Sequence, residues 1–144
     1  MKLTLDLHVH SDASFDGRMS VRQIALLAKA RGIDGVAICD HDVVYTGPTE
    51  VEGVLIIPGA EFSTEYGHLL GLFLTAPIQH TTWKETVQAI HDQGGITVLA
   101  HPYQNKRSGS LEPFRPILDD IDAVETWNSR ANRKYPRAND NAFI

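Results

Sequence analysis

The stretch Leu3-Thr4-Leu5-Asp6-Leu7-His8-Val9-His10 is the most informative in this chain. Its alternation places Leu3, Leu5, Leu7 and Val9 on one face of a strand and Thr4, Asp6, His8 and His10 on the other. Two imidazoles spaced by one residue on a strand project from the same face and can hold one ion. Imidazole is the commonest neutral ligand for Zn, Mn or Fe. By itself an H-x-H pair is weak evidence of a metal site, so its meaning depends on the rest of the chain.

Beyond His10 the chain alternates short β-type runs with helical segments, an α/β pattern. Ser20 with Gln23 is a capping box opening a helix over Val21–Arg31, with Ile24, Leu27 and Ala28 on one side and Gly32 ending it. Further strands are predicted over Gly35–Cys39, Val54–Pro58, Leu69–Leu74 and Ile96–Ala100, and a weaker sixth over Ala123–Thr126. Thr82 with Glu85 caps a second helix running to about Asp92, which Gly94-Gly95 ends. Pro113 and Pro116 bracket an irregular or short helical stretch. Two βα units suggest a mainly parallel sheet, open to curling into a barrel although six strands are few for closure.

Candidate ligands sit at the ends of these strands. Asp40-His41-Asp42 follows the second, Glu61 the third and His101 the fifth. In parallel α/β sheets, sites form at the carboxyl ends of strands, so these residues are placed to converge on one rim. His68 precedes its strand, and reaches that rim only if the segment from Glu61 to His68 folds back as a hairpin. A single histidine after a strand is more often a loop residue than a ligand, and Asp40 or Asp42 would serve equally as turn formers. Four histidines recurring at strand ends with acidic company are harder to explain by turns. His80 and His91 lack that context and read as surface or helix-face residues.

Bulk properties narrow the class. A chain of 144 residues accommodates one compact domain, here taken as 1–144. A net charge of −5 argues against tight non-specific binding to long nucleic acid. The apolar runs are too short to span a bilayer, and residues 1–10 do not resemble a secretory signal. The single cysteine, Cys39, excludes an internal disulfide framework. A cytoplasmic setting is therefore expected. The basic tail (Arg130, Arg133, Lys134, Arg137) is read first as a solvated surface and second as a phosphate-attracting rim.

Six segments in order resemble the polymerase and histidinol phosphatase (PHP) superfamily. They are Asp6-Leu-His8-Val-His10-Ser11, Asp16-Gly17, Cys39-Asp40-His41-Asp42, Gly59-Ala-Glu61-Phe-Ser63, Gly67-His68 and Ala100-His101-Pro102. Val124-Glu125-Thr-Trp-Asn128 is similar to a further family element at the sixth strand. The resemblance implies a distorted (β/α)7 barrel holding two or three divalent ions (Mn, Zn or Fe). It implies that His8, His10 and Glu61 contact the first ion, and that Glu61 bridges to a second held by His68 and His101. Asp16 and His41 would contact a third. Glu61 is then catalytic as the bridging carboxylate, the ion pair makes hydroxide available near neutral pH, and the ions stabilise phosphoryl charge.

Asp6 is expected to accept the free N–H of a ligand imidazole. Asp42 is expected to do likewise or to shuttle a proton. Among candidate phosphate binders, Arg18 and Arg130 rank ahead of Lys106 and Arg107, because guanidinium suits bidentate phosphate contact. The family pattern normally closes with a Gly-Ser-Asp-Ala-His-like segment, but no histidine follows His101. The expectation is therefore a barrel incomplete at the C-terminus, lacking the last strand with its Asp-x-His, with exposed edges through which oligomers could form.

The function so implied is a metal-dependent phosphoesterase acting on a small phosphorylated substrate: a nucleotide, a nucleoside bisphosphate or the end of a short oligonucleotide. Alternatives are a histidinol-phosphatase-like enzyme and a non-catalytic, metal-stabilised PHP module. A metal-dependent amidohydrolase also begins with H-x-H, but usually carries a bridging lysine where this chain has Glu61.

Overall fold

The computed structural model describes residues 1–79, 82–104 and 112–130, Tyr103 and Glu112 by their backbone alone. His80, Lys106, Arg107, Arg133, Lys134, Arg137 and Asp140 lie outside the described residues. The strands are β1 (Leu5–Val9), β2 (Gly35–Ile38), β3 (Glu50–Val51), β4 (Val54–Thr64), β5 (Gly67–Leu72), β6 (Ile96–Leu99) and β7 (Ala123–Val124). The helices are α1 (Val21–Ala30) and α2 (Trp83–Asp92), accompanied by a 3-10 helix over Glu112–Asp120 in which Phe114 and Ile117 are buried. Among the described residues no helix is long and apolar enough to cross a membrane.

Both predicted caps form. The Ser20 hydroxyl accepts from Gln23 N while the Gln23 side chain accepts from Ser20 N, and Thr82 accepts from Glu85 N. The buried stripe of α1 runs through Ile24, Ala25 and Ala28; Leu27, expected among them, is exposed.

The sheet order is β1-β2-β4-β5-β6-β7, with β3 against β4. It curls as a half-barrel of mixed direction. β1–β2, β2–β4 and β6–β7 are parallel, whereas β3–β4, β4–β5 and β5–β6 are antiparallel. The expected mainly parallel sheet is thus corrected by two hairpins. One is the turn at Glu52-Gly53 (φ +54° and +79°), with the left-handed pair a two-residue hairpin favours. The other joins β4 to β5, pairing Ser63 with His68 and bringing His68 back to the rim as its hairpin expectation required.

The outer face of the sheet is covered twice. α1 packs on Val36, Ile38, Val54 and Ile56, and α2 packs Trp83, Val87 and Ile90 on Ala60, Phe62, Leu69 and Leu99. Ala37, Cys39, Ile57, Leu70, Leu72 and Ala100 form the inner cluster. His91 is more than a surface residue. Its Nε2 lies 3.0 Å from Asp122 Oδ2, which also accepts from the Thr97 hydroxyl at 2.8 Å, tying α2 to β6 and β7.

Strand β1 departs from the alternation of its sequence. Asp6 pairs with Val36 but Val9 with Ile38, so β1 holds one residue more than β2 over this span, a β-bulge. Leu5 aligns with Gly35 on the face of Ala37 and Cys39, whereas Val9 packs with Ile24 and Ile38 on the face of α1. Leu5 and Val9, expected on one face, therefore fall on opposite ones. The bulge is what lets the histidines flanking Val9 turn inward. Leu5 and Leu7 line an open cleft of about 580 Å³ beside β7, with Leu70, Leu72, Val98 and Trp127. Neither β1 nor β7 pairs with a further strand among the described residues.

Candidate metal centre

The ends of β1, β2, β4, β5 and β6 meet at one rim. Asp40, fully buried, accepts from both the backbone N–H and the hydroxyl of Ser11, each at 2.6 Å, locking the exit of β1 to that of β2. Asp42 N donates to Glu61 O at 2.9 Å and Glu61 N to Asp40 O at 3.0 Å, a bridge that sets His41 beside Glu61. After Ser11 the chain winds through two tight turns (Ser14 N to Ser11 O and Gly17 N to Ser14 O, each 3.1 Å). These bring Asp16 Oδ1 to 2.8 Å from His10 Nδ1, with the Ser14 hydroxyl donating to the same oxygen.

Gly17 makes this return possible. A Cβ on it would overlap the Ser11 carbonyl oxygen. Gly17→Ala should therefore destabilise the protein by about 1–3 kcal/mol, as overpacking does. A denaturant midpoint equal to that of the parent would show that the loop gives way freely.

Glu61 is the hub. It is 1% exposed, and five imidazoles surround it. His8, His10 and His41 place Nε2 at 3.3, 3.0 and 3.4 Å from Oε2. His68 Nδ1 and His101 Nε2 lie 2.8 and 2.9 Å from Oε1. Burial opposes ionisation of Glu61, but the close imidazoles of His10, His101, His68 and His8 outweigh it and hold the carboxyl far below its usual range. Burial likewise works against a charged His8, yet Glu125 and Glu61 prevail and push it up to about 10. His10 is raised by Glu61 and Asp16 against its burial, while His41 is lowered, chiefly by burial. Asp16 is lowered by His10, Ser14 and Arg130 despite the opposing effect of burial.

These contacts fit cations better than they fit each other. His8 Nε2 and His10 Nε2 face one another at 3.1 Å, although two neutral imidazole lone pairs repel. The buried His68 Nδ1 lies close to Glu61 yet makes no hydrogen bond in a proper direction, and the buried His41 Nδ1 also lacks a partner. One carboxylate cannot balance five protonated rings. Two divalent ions between the rings and the carboxylate would satisfy the facing Nε2 atoms and His68 Nδ1, though not His41 Nδ1 on the far side of its ring, and N/O donors of this kind suit Zn, Mn or Fe.

Ligand atoms within 4.8 Å of one another form two groups that share Glu61: His8, Glu61 and His101, and His10, His41 and Glu61. His8 Nε2 and His10 Nε2 lie within that distance of each other and of Glu61 Oε2 as well, which accords with the partition that the family resemblance implies, in which His8 and His10 share an ion. His68 sits beside the first group, through Glu61 Oε1. Asp16 borders the second, with Oδ2 at 3.5 Å from His41 Nε2.

The remaining candidates fall at different distances from this hub. Arg130 lines the cleft and its Nη1 donates to Asp16 Oδ2 at 2.8 Å, with the side chain 72% exposed. Arg18 is exposed and does not line the cleft. Asp42, at φ +57°, accepts from Ser63 N at 2.9 Å and the Ser63 hydroxyl at 3.2 Å, so its carboxylate reaches the cleft through Ser63. Asp6 accepts from the backbone N–H of His8 at 3.3 Å rather than from an imidazole, which corrects its expected role.

Three contributors are not evident from sequence. Phe15, 86% exposed, stacks on His41 with centroids 4.7 Å apart. Ser14 binds Asp16 and also accepts from His41 N at 3.2 Å. Glu125 touches both His8 and His101. For Glu125 a signal is present, since it stands in the segment Val124–Asn128 at the end of a strand. For Phe15 and Ser14 there is none beyond their nearness to Asp16.

The chain has relatives in sequence and in fold. An uncharacterized protein of Methanocaldococcus jannaschii is 34% identical over 143 residues, covering 86% of this chain and 81% of the relative. A probable phosphatase of Acetivibrio thermocellus is 26% identical over 167 residues, covering all of this chain and 68% of that protein. Among solved structures, a two-domain protein of Bacteroides vulgatus containing a predicted PHP-like metal-dependent phosphoesterase superposes with a TM-score of 0.71 at 20% identity. That match takes in 95% of this chain and 49% of the solved one, so the chain spans about half its length. The PHP domain family model matches residues 6–106, which include the five histidines, Asp16 and Glu61 of the hub, and the chain therefore belongs to the PHP domain family.

Proposed function

We propose that this protein is a metal-dependent phosphoesterase acting on a small phosphorylated substrate, a nucleotide, a nucleoside bisphosphate or a short oligonucleotide end, in the cytoplasm. The observation that carries the reading is the single buried carboxylate of Glu61 shared by two histidine groups. A bridging carboxylate offsets repulsion between two close cations. When bound, Mn, Zn or Fe ions would lower the pKa of water and stabilise charge on phosphoryl oxygens. His8, His10, His41, His68, His101 and Glu61 would hold them, with Asp16 beside His41.

The protein's own groups account for the rest. The cleft over the hub, about 280 Å³, is lined by Ser63, Gln104, Asn128 and Arg130 as well as the ligands. Arg130 stands at its mouth, where the guanidinium is placed to exchange Asp16 for two phosphoryl oxygens. Attack of water on phosphorus breaks the P–O bond to the leaving group and yields an alcohol with inorganic phosphate from a monoester, or with a phosphomonoester from an oligonucleotide end. Asp42, acting through Ser63, is the candidate to relay the departing proton. The resemblance to proteins described as probable phosphatases supports this reading.

The test is metal analysis of purified protein together with turnover of nucleoside monophosphates, nucleoside bisphosphates, short oligonucleotides and histidinol phosphate. His10→Ala removes a ligand rather than its support. Losing a supporting residue typically costs 10–100-fold, so a drop of at least about 100-fold is expected. Protein that holds no Mn, Zn or Fe, or phosphatase activity indifferent to His10→Ala, would end the proposal.

A further inference from the structure

We infer that Phe15 is a specificity-determining residue for the leaving group: its exposed ring, laid on His41 at the mouth of the hub cleft, stacks the nucleobase of a nucleoside phosphate. The inference rests on the phosphoesterase reading of the hub and deepens it.

Phe15 is the second residue of the turn Ser14-Phe15-Asp16-Gly17, which the hydrogen bond from Gly17 N to Ser14 O closes at 3.1 Å. Such a turn favours proline at that position and has no need of a large apolar ring. Apart from Met1, Phe15 is the most exposed large apolar side chain among the described residues, and it belongs to none of the three buried clusters. A single exposed apolar residue is ordinary on a protein surface. What sets this one apart is where it is held.

The residues on either side of it are fixed by the hub. The Ser14 hydroxyl donates to Asp16 Oδ1 at 2.8 Å and accepts from His41 N at 3.2 Å, and the same Asp16 oxygen lies 2.8 Å from His10 Nδ1. The Phe15 ring lies on that of His41 with centroids 4.7 Å apart and planes inclined by 19°. His41 Nε2 is in turn 3.4 Å from Glu61 Oε2, so a single imidazole separates the phenyl ring from the hub carboxylate. Phe15 also lines the same cleft as Glu61 and Arg130. One face of the ring is covered by His41, and its high exposure leaves the other to solvent.

A phosphoryl group at the hub carries its leaving group to this mouth. In a nucleoside phosphate the sugar sets a flat base apart from the phosphorus, and a flat apolar face is what Phe15 offers there. Stacking takes both faces out of water, and every base has a π face to give. The contact is made in the bound substrate and kept in the transition state, so it should act on KM rather than on kcat.

The experiment compares adenosine 5′-monophosphate with ribose 5-phosphate, which lacks the base, on the Mn2+-loaded full chain. In the parent, kcat/KM for the nucleotide should exceed that for the sugar phosphate by about 5- to 150-fold, the range that stacking one base on an aromatic side chain supplies. Phe15→Leu, apolar but not flat, should bring that ratio towards one through KM, and Phe15→Trp should keep it. The Kd values of the two phosphonate analogues, which cannot turn over because CH2 replaces the ester oxygen, should show the same ratio and the same dependence on residue 15. A ratio near one in the parent, or one that Phe15→Leu leaves unchanged, would overturn the proposal. So would Phe15→Trp no better than Phe15→Leu. An equal loss for both esters in Phe15→Leu would also overturn it, by making the ring a support for His41 rather than a contact for the base. A parent that hydrolyses neither ester, yet shows the ratio in Kd and loses it in Phe15→Leu, would sink the phosphoesterase reading and leave the stacking role standing. Hydrolysis of both esters at equal kcat/KM would do the reverse. Neither hydrolysis nor binding would sink both.

Discussion

Glu61→Gln should lower kcat/KM for a phosphoester by on the order of 10³-fold or more, and should remove tight binding of both ions together. Among the described residues Glu61 is the only ligand common to the two groups. Each of its oxygens faces imidazoles of a different set: Oε2 those of His8, His10 and His41, Oε1 those of His68 and His101. An amide keeps the shape but loses the charge. Two dications a few ångströms apart would then face each other across a neutral group, and their repulsion would no longer be offset. A Glu61→Gln protein that binds two ions with the parent's affinity would remove the bridging role.

Stripping the ions should have a large effect on stability as well, and its pH dependence should reverse sign. An ion at 100 times its Kd stabilises by about 2.7 kcal/mol, so loss of one ion should lower the melting temperature by roughly 5–10 °C. In the metal-free protein His8 is raised from 6.5 to about 10 by Glu125 and Glu61 against its burial. A raised histidine contributes its full stabilisation below 6.5 and loses it as pH climbs through about 10. Glu61 is lowered, so its contribution is present above its ordinary value of 4.5 and is lost only far below it; it does not oppose the trend at alkaline pH.

Melting temperature of the chelated protein should therefore fall between pH 6.5 and about 10. In the metal-loaded protein the ion takes the place of the proton, and its apparent affinity rises as that proton becomes easier to displace. At subsaturating Mn2+ the same pH interval should then stabilise. Parallel melting curves with and without chelator would contradict this account. His8→Gln should flatten the alkaline decline of the chelated protein.

Much of this site is legible without coordinates because its chemistry is local. Ala100-His101 puts an imidazole directly after an apolar strand, and a strand's end is where a parallel sheet opens to ligands; Glu61 reads the same way from sequence, but β4 continues to Thr64 and holds Glu61 within it, paired with Leu70. His68 is legible only conditionally, and the β4–β5 hairpin supplies the condition. That His8 comes within reach of His101, and His10 of His41, is not legible. Residues 93 positions apart in the chain meet only when the sheet curls, and no spacing rule reports which imidazole of an H-x-H turns to which neighbour. Asp42 is expected from its motif to support a ligand imidazole or to shuttle a proton; that its carboxylate meets Ser63, 21 positions away, is decided by the fold.

The α/β class, both helix caps and the family can all be read from the residues alone, since each depends on side-chain chemistry and short-range periodicity. The direction of β1's histidines cannot. The alternation of Leu5, Leu7 and Val9 predicts one apolar face, but pairing with β2 inserts an extra residue between Asp6 and Val9 and changes the face presented to the core. A bulge is a property of two strands in register, not of one, and so lies beyond what either strand can state alone.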